Sequence, residues 1–221
     1  MKVTRLDMPF PVIAIDDFIP SSALVRAAAA SFETVDDEDW VKYGRTSDGQ
    51  VQYSSKSRHL TPPSSLLVMD YIAAHFDPNK EFGNITHNAF PDTSYYGGGM
   101  MMLPNSHDEG GCLGMHVDAD IHAIHRDWKR EYSAVLCLSE EYDSSFDLLV
   151  HDGNDNHARI PYKFNRLNVF KCSDNSWHGL PEITRGYDRK TVGVMYWSIM
   201  SEEEKKSVRV KAKFNHGLEF K

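Results

Sequence analysis

The hydrophobic positions change their spacing near residue 95. Before it, apolar residues recur at helical spacing within 22–32, behind a Ser21-Ser22 cap, and within 64–76 before Pro78. These two patterns predict amphipathic helices. A β-branched run at 12–15 predicts a short strand, and the polar stretch 36–63 predicts irregular structure with one strand near 51–53.

After residue 95 the chain alternates short apolar runs with turn residues. Several short strands at nearly even spacing are typical of a β-sandwich or barrel, here of the jelly-roll type. The segment that follows opens with Ser201-x-x-Glu204, a capping-box pattern, and ends in a Lys-rich tail that we interpret as solvated surface. The predicted strands are 100–103, 113–117, 132–138, 146–150, 158–162, 167–172 and 191–199.

The sequence therefore predicts an α+β chain that is mainly β. We expect one domain over 1–221, with a helical support layer at 1–94, a jelly-roll core at 95–200 and a C-terminal tail at 201–221. A length of 221 residues fits one large domain. No internal repeat divides it.

Charge and cysteine content exclude several classes of protein. A net charge of −8 argues against a general nucleic-acid binder, which needs clustered Lys and Arg. The apolar runs are shorter than the roughly 20 residues of a membrane helix, and we see no signal peptide at the N-terminus. Three cysteines suit a reducing compartment better than a disulfide framework, so we expect a cytoplasmic protein. The oligomeric state is left open.

Candidate chemistry begins with three His-x-Asp pairs. A chain with 11 histidines and 20 aspartates contains about one such pair by chance, so context must choose among them. His75 and Asp77 lie at a helix end, where the helix dipole explains a histidine. His125 and Asp127 lie in a charged stretch, 126–131, that we interpret as an exposed loop. Only His116 and Asp118 follow an apolar strand, where residues i and i+2 share one face.

A third ligand has to come from another strand, and His178 is the best candidate. Two imidazoles and one carboxylate on one side of an ion leave open positions, which is typical of non-haem Fe(II) oxygenases. A zinc site made of His116, His122 and His125 is the alternative. Its weakness is that 122 and 125 need a helical turn whereas 116 is on a strand.

Eleven residues after His178, Arg189 opens an apolar strand. An arginine that points into a β core needs a carboxylate partner, which its planar fork binds through two hydrogen bonds. Thr191 shares its face and adds a hydroxyl. A solvent-exposed arginine at a strand edge is the alternative, and hydrophobicity alone favours the Lys190 face as the inner one.

Taken together, these segments resemble the Fe(II)/2-oxoglutarate-dependent dioxygenases of the prolyl-4-hydroxylase-like group, of the bacterial and phage type. The similarity covers most of the chain, and the segments occur in the family's order. The matching segments are 9–20, 96–99, 110–118, 177–181 and 189–191.

The resemblance implies a double-stranded β-helix in which His116, Asp118 and His178 hold Fe(II). It also implies that Arg189 binds the distal carboxylate of 2-oxoglutarate, with Thr191 beside it, although lysine has this role in some relatives. The cofactors would be Fe(II), 2-oxoglutarate and O₂, and hydroxylation of a second, unidentified substrate would release succinate and CO₂. No catalytic residue beyond the metal ligands is expected.

The chain departs from the family at two places. Cys137-Leu138-Ser139 replaces a common Tyr-Leu-Asn, and Asp143-Ser144-Ser145 replaces a common Gly-Gly. Neither departure removes an iron ligand. We interpret both as lying on the substrate side, so the resemblance implies the chemistry and leaves the prolyl substrate open.

Two other functions stay open, a zinc-dependent hydrolase that uses the same histidines and a non-catalytic metal-binding jelly roll. Arg189 argues against the first, because a hydrolase needs no carboxylate clamp. We expect 36–61 and 119–131 to be lid loops, since functional loops gather around a rigid β scaffold. Their aromatic residues Trp40, Tyr43 and Trp128 are candidates for substrate contact or for packing.

Overall fold

The structure is a computed structural model. It describes residues 2–7, 9–43, 50–55, 61–83, 88–95, 98–105, 110–118, 121–122, 124–184, 186–209, 211–215 and 218, without the side chains of 43 and 50–55. In this part of the chain no helix has the length and the apolar character that crossing a membrane requires.

Fourteen strands and three α-helices make up the described chain. The helices are α1 (Ser22–Ala30), α2 (Pro63–His75) and α3 (Pro78–Glu81). The strands are β1 (Lys2–Leu6), β2 (Val12–Asp16), β3 (Trp40–Tyr43), β4 (Gln50–Ser55), β5 (Phe90–Pro91), β6 (Gly99–Leu103), β7 (Cys112–Val117), β8 (Trp128–Cys137), β9 (Leu148–His151), β10 (His157–Ile160), β11 (Leu167–Lys171), β12 (Trp177–Leu180), β13 (Arg189–Ile199) and β14 (Lys213–Phe214). Both predicted long helices and all seven predicted strands of the core are confirmed.

The eight strands β6 to β13 form two facing antiparallel sheets. One has the order β6-β13-β8-β11 and the other β7-β12-β9-β10. This alternation between sheets is a double-stranded β-helix, so the predicted fold class is confirmed. Strands β2 and β1 extend the first sheet beyond β11, and β4 pairs with both β6 and β7.

Strand β13 is buried on both faces. Val192, Val194 and Tyr196 belong to the core cluster that includes α2, and the Tyr196 hydroxyl donates to the carbonyl of Phe76 at 3.0 Å. The other face, which includes Thr191 and Met195, lines the space between the sheets. The hydrophobicity of the Lys190 face therefore reflects the helical layer and not the interior of the β-helix.

The predicted lid loop at 36–61 contains regular structure in the part that the structure describes, including the strand predicted near 51–53. Residues 40–43 and 50–55 form β3 and β4, which pair with each other in antiparallel fashion. Trp40 is buried against the ring of Phe32, with 5.8 Å between the ring centroids, so it packs in the core and is not a substrate contact. Residues 44–49 and 56–60 lie outside the described residues, as does the side chain of Tyr43.

A buried carboxylate joins β2 to the turn that leads into β11. Asp16 accepts hydrogen bonds from Arg166 Nε at 2.6 Å and Lys163 Nζ at 3.0 Å. The hydrogen bond from Arg166 is the main reason that the pKa of Asp16 lies below its usual value of 3.8. Folding stabilises the carboxylate form of Asp16. Its contribution to the free energy of unfolding is therefore present at neutral pH and is lost as the pH falls below about 4.

We expect Asp16→Asn to lower the free energy of unfolding at pH 7 by about 2 kcal/mol, the usual scale of hydrogen bonds to charged groups. Urea unfolding at pH 7 and at pH 3.5 measures this, and the difference from wild type should shrink at the lower pH. Asp7→Asn, at an exposed position, is the control. An equal loss at both pH values would contradict an ionic origin.

Candidate metal centre

Neighbouring strands of the second sheet bring the three predicted ligands together. His116 on β7 and His178 on β12 are direct cross-strand partners, and Asp118 follows β7 by one residue. One donor atom from each of the three lies within 4.8 Å of the others, and no other such group of His, Cys, Asp or Glu occurs among the described residues. Gly179 permits this approach, because a Cβ there would lie 2.8 Å from the carbonyl oxygen of Leu113 on β7.

Backbone carbonyls orient both imidazoles. His116 Nδ1 lies 2.9 Å from the carbonyl oxygen of Gly114, and His178 Nδ1 lies 2.9 Å from that of Ser176. Each Nδ1 therefore carries the proton, and each Nε2 is left with a free lone pair. These Nε2 atoms face the carboxylate of Asp118 at 3.7 and 3.9 Å. Such carbonyl contacts are the usual means of orienting a metal-binding histidine.

The protonation states suit a divalent cation. Burial, with a smaller effect from His116, lowers the pKa of His178 to about 4, so its imidazole is neutral at pH 7. Burial alone would raise the pKa of Asp118, but the charge of Arg130, whose Nη1 lies 3.0 Å from the carboxylate, outweighs it and holds the pKa well below the usual range. A neutral His178 imidazole, an ionised Asp118 carboxylate and the imidazole of His116 make a set of two histidines and one carboxylate that fits Fe(II) with open positions.

Three side chains hold Asp118 in place. Arg130 Nη1 and Ser133 Oγ each lie 3.0 Å from its Oδ2, and Arg209 Nε donates to its backbone oxygen at 2.8 Å. The sequence analysis missed all three. It placed Arg130 in an exposed loop, which is wrong, because β8 already begins at Trp128 and the side chain of Arg130 is only 11% exposed.

A cavity of about 340 Å³ extends from the three ligands between the two sheets. Apolar side chains of both sheets form most of its wall, and its polar members besides the ligands are Arg130, Ser133, Asn168, Arg189 and Thr191. An apolar cavity with a few converging polar groups is typical of a small-molecule site.

Arg189 points into this cavity from the opposite sheet. It is 5% exposed, its Nε donates to the carbonyl of Phe146 at 3.0 Å, and its guanidinium lies over the ring of Tyr162. Among the described residues no carboxylate lies within ion-pairing distance of it. A buried cation without a counter-charge is strongly unfavourable, so the cavity is suited to an anionic ligand.

The two residues after Arg189 have different surroundings. Lys190 lies on the other face of β13, where its ammonium pairs with Glu33 and lies over the ring of Phe32. It does not reach the cavity. Thr191 does line the cavity, and its hydroxyl donates to the carbonyl oxygen of Met101 at 3.3 Å.

The alternative site of three histidines does not form. His122 is fully buried, and its Nδ1 accepts hydrogen bonds from the backbone N–H groups of residues 124 and 125, while its Nε2 lies 3.2 Å from Asp92 Oδ2. It therefore holds the backbone of residues 124 and 125 in place.

The histidines of the other two His-x-Asp pairs also have contacts outside the metal centre. His125 stacks on Trp128, and His75 contacts the carbonyl of Tyr71 at the end of α2.

The C-terminal tail is not simply solvated surface, which corrects the sequence-based interpretation. The capping box is present, because the backbone N–H of Ser201 donates to Glu204 Oε2 at 2.9 Å and that of Glu204 donates to Ser201 Oγ at 3.3 Å. Further on, β14 pairs with β7, and the ring of Phe214 stacks on His116 with 5.2 Å between centroids. Two apolar residues, Ala212 and Phe214, in a Lys-rich segment give too weak a pattern to reveal a two-residue strand.

Residues 101–197 match the family model described as the 2OG-Fe(II) oxygenase superfamily. Both proposed ligand strands and Arg189 lie inside this range. In a comparison with curated proteins, no sequence matches the chain.

Solved structures with the same fold include two prolyl hydroxylases and HygX. A Pseudomonas putida prolyl-4-hydroxylase is 18% identical with a TM-score of 0.57, over 86% of this chain and 93% of that one. A Trichoplax adhaerens prolyl hydroxylase, in complex with a hypoxia inducible factor peptide fragment, is 15% identical with a TM-score of 0.58, over 88% and 85%. HygX from Streptomyces hygroscopicus, with nickel, 2-oxoglutarate and hygromycin B bound, is 9% identical with a TM-score of 0.56, over 92% and 93%.

Proposed function

We propose that this chain is a member of the 2OG-Fe(II) oxygenase superfamily, whose family model matches residues 101–197 and whose prolyl hydroxylases share its fold. The enzyme is an oxygenase that uses Fe(II), 2-oxoglutarate and O₂ to hydroxylate an organic substrate. In our proposal His116, Asp118 and His178 hold the iron. Arg189 binds the distal carboxylate of 2-oxoglutarate, with Thr191 beside it.

One observation carries this proposal: a buried guanidinium without a carboxylate partner in the described chain shares a cavity with the three ligands. A dicarboxylate that reaches from the metal to Arg189 satisfies both ends at once. A zinc hydrolase that used the same ligands would have no reason to bury this cation, so the hydrolase is the weaker alternative. A non-catalytic sensor would bind the same two ligands without turnover.

When bound, Fe(II) supplies the activation of O₂ that is coupled to decarboxylation of 2-oxoglutarate to succinate and CO₂. The chain's own residues position the reactants. Gly114 and Ser176 fix the two imidazoles, and Arg130 and Ser133 fix the carboxylate of Asp118. The apolar walls between the sheets lower the dielectric around Arg189, which strengthens its interaction with an anion.

The primary substrate belongs to one of two classes, an amino-acid side chain in a protein or peptide, or a small molecule. The structural neighbours include both, a prolyl hydroxylase with a peptide and HygX with hygromycin B. Our proposal also keeps the chain as one domain over 1–221, with parts 1–94, 95–200 and 201–221. It places the domain in the cytoplasm, because all three cysteines are free thiols.

The function is tested by succinate formation in the presence of Fe(II), 2-oxoglutarate and O₂, with peptides, amino acids, nucleosides and other small molecules offered as primary substrates. We expect one class to stimulate succinate formation at least tenfold over the substrate-free rate. The Asp118→Ala protein is the control and should give no stimulation. Stimulation that persists in that control would contradict the proposed iron site.

A further inference from the structure

The side chain of Asn168 is a buried amide in the wall of the metal cavity, and the proposed function gives it no role. Asn168 lies on β11 and is 3% exposed. Its neighbours Leu167 and Val169 face the core cluster around the helices, whereas Asn168 and Phe170 line the metal cavity. A polar side chain therefore stands in a wall that is otherwise mostly apolar.

One end of this amide has no hydrogen-bond partner among the residues that the structure describes. In that part of the chain Asn168 Oδ1 is buried without a partner, and Nδ2 lies 3.7 Å from the sulfur of Cys137, a long contact for a weak acceptor. Buried polar groups in folded proteins are nearly always paired, so this one indicates a missing partner. The two ends of an amide have nearly the same shape, and the group can turn over without repacking its neighbours.

Cys137 supplies the donor that the turned amide needs. Burial raises the pKa of its thiol to about 11, so the sulfur carries a proton at neutral pH. The carbonyl oxygen of Asn168 can then accept from this S–H group. The amide N–H groups are left to donate to a ligand in the cavity.

Arg189 and Asn168 reach the same end of the cavity. Thr191, two residues after Arg189 on the same face of β13, is the cross-strand partner of Cys137. Cys137 also packs with Phe146, whose carbonyl oxygen accepts from Arg189. The Cys137-Leu138-Ser139 departure thus begins beside the cationic end of the cavity and not on the side of the primary substrate.

We infer that Asn168 is a second anchor for the carboxylate that Arg189 binds, with its amide N–H donating to that carboxylate and its carbonyl oxygen turned toward Cys137. This inference rests on the proposed function, since it assigns a further contact within the 2-oxoglutarate site. It also makes Asn168 a residue that selects dicarboxylates over 2-oxo acids with an apolar tail.

The test compares two ligands on three variants of the full chain, loaded with Zn(II) so that no turnover occurs. Calorimetry gives the dissociation constants of 2-oxoglutarate and of 2-oxopentanoate, which has the same carbon chain without the distal carboxylate. We expect Asn168→Leu to weaken 2-oxoglutarate about tenfold or more and 2-oxopentanoate less than twofold, because only the former presents an anion to the amide. Asn168→Val, with a smaller side chain, should show the same selectivity if the leucine variant folds poorly.

The control is Val169→Ala, which disturbs the same strand on its opposite face and should leave both dissociation constants unchanged. An equal loss for both ligands in the Asn168 variants, or no loss, would overturn the inference while the function stands. If the unaltered chain fails to bind 2-oxoglutarate at all, the proposed function itself is wrong.

Discussion

Asp118→Ala and His116→Ala should each abolish stoichiometric binding of Fe(II), with at least a 100-fold loss of affinity. Each substitution removes a direct ligand, and loss of an outer contact to a metal ligand already costs about 10- to 100-fold. Asp118 is also the group toward which both free Nε2 atoms point. Anaerobic titration of the purified variants with Fe(II) measures the effect.

The other His-x-Asp pairs provide matched controls. His75→Ala, and His125→Ala combined with Asp127→Ala, should each leave the affinity for Fe(II) within about twofold of wild type. His75 contacts a helix carbonyl and His125 stacks on Trp128, so neither faces the cavity. Tight iron binding by the folded His116 variant would show that the metal lies elsewhere.

Arg189→Ala should raise the dissociation constant of 2-oxoglutarate about 30- to 150-fold and leave iron binding intact. A charge-assisted contact to a carboxylate contributes about 2–3 kcal/mol, and this guanidinium is buried, so solvent screens it little. Lys190→Ala should change the constant several-fold at most, because Lys190 pairs with Glu33 on the far face of β13. Titration of 2-oxoglutarate into the metal-loaded proteins measures both.

The Lys190 variant is the control for charge, since it removes the neighbouring cation from the same strand. A larger effect from Lys190→Ala than from Arg189→Ala would make Lys190 the clamp. It would also require β13 to present its other face to the cavity, contrary to the pairing of Arg189 with Leu103 and of Thr191 with Cys137.

The strand pattern and the shared face of one His-x-Asp pair could be predicted from the sequence because each rests on local periodicity. His116 and Asp118 share a face by strand alternation, and the apolar strand before them separates this pair from the two other His-x-Asp pairs. The place of His178 opposite His116 was not available from periodicity, since it depends on which strands pair. Its position near the strand 167–172 made it the best candidate, and the order of the family's motifs agreed with that choice.

Arg130 shows why part of the site could not be predicted. Counted back from Val135 and Ser133, which line the cavity, strand alternation puts Arg130 on the opposite face. The register between β8 and β13 shifts so that Tyr132 pairs with Tyr196 but Arg130 pairs with Trp197. This bulge turns the guanidinium toward Asp118, and bulges of this kind re-aim side chains beside active sites without a clear sequence pattern.

The positions of Trp40 and Phe214 could not be predicted for a different reason, because each depends on tertiary packing. Trp40 lies in a polar stretch and packs on Phe32, and Phe214 forms a two-residue strand beside His116. Neither segment has enough apolar residues to set a period. Tertiary packing alone decides where such residues lie.

The central claim is that one cavity holds both Fe(II) and 2-oxoglutarate, and an anaerobic absorption measurement tests it most directly. Fe(II) and 2-oxoglutarate added together without O₂ should give a visible charge-transfer band that saturates at one iron per chain. The band should be absent with either component alone and absent in Asp118→Ala. If no band appears in the unaltered chain while Zn(II) alone supports hydrolysis of model esters, the account is wrong and the hydrolase is correct.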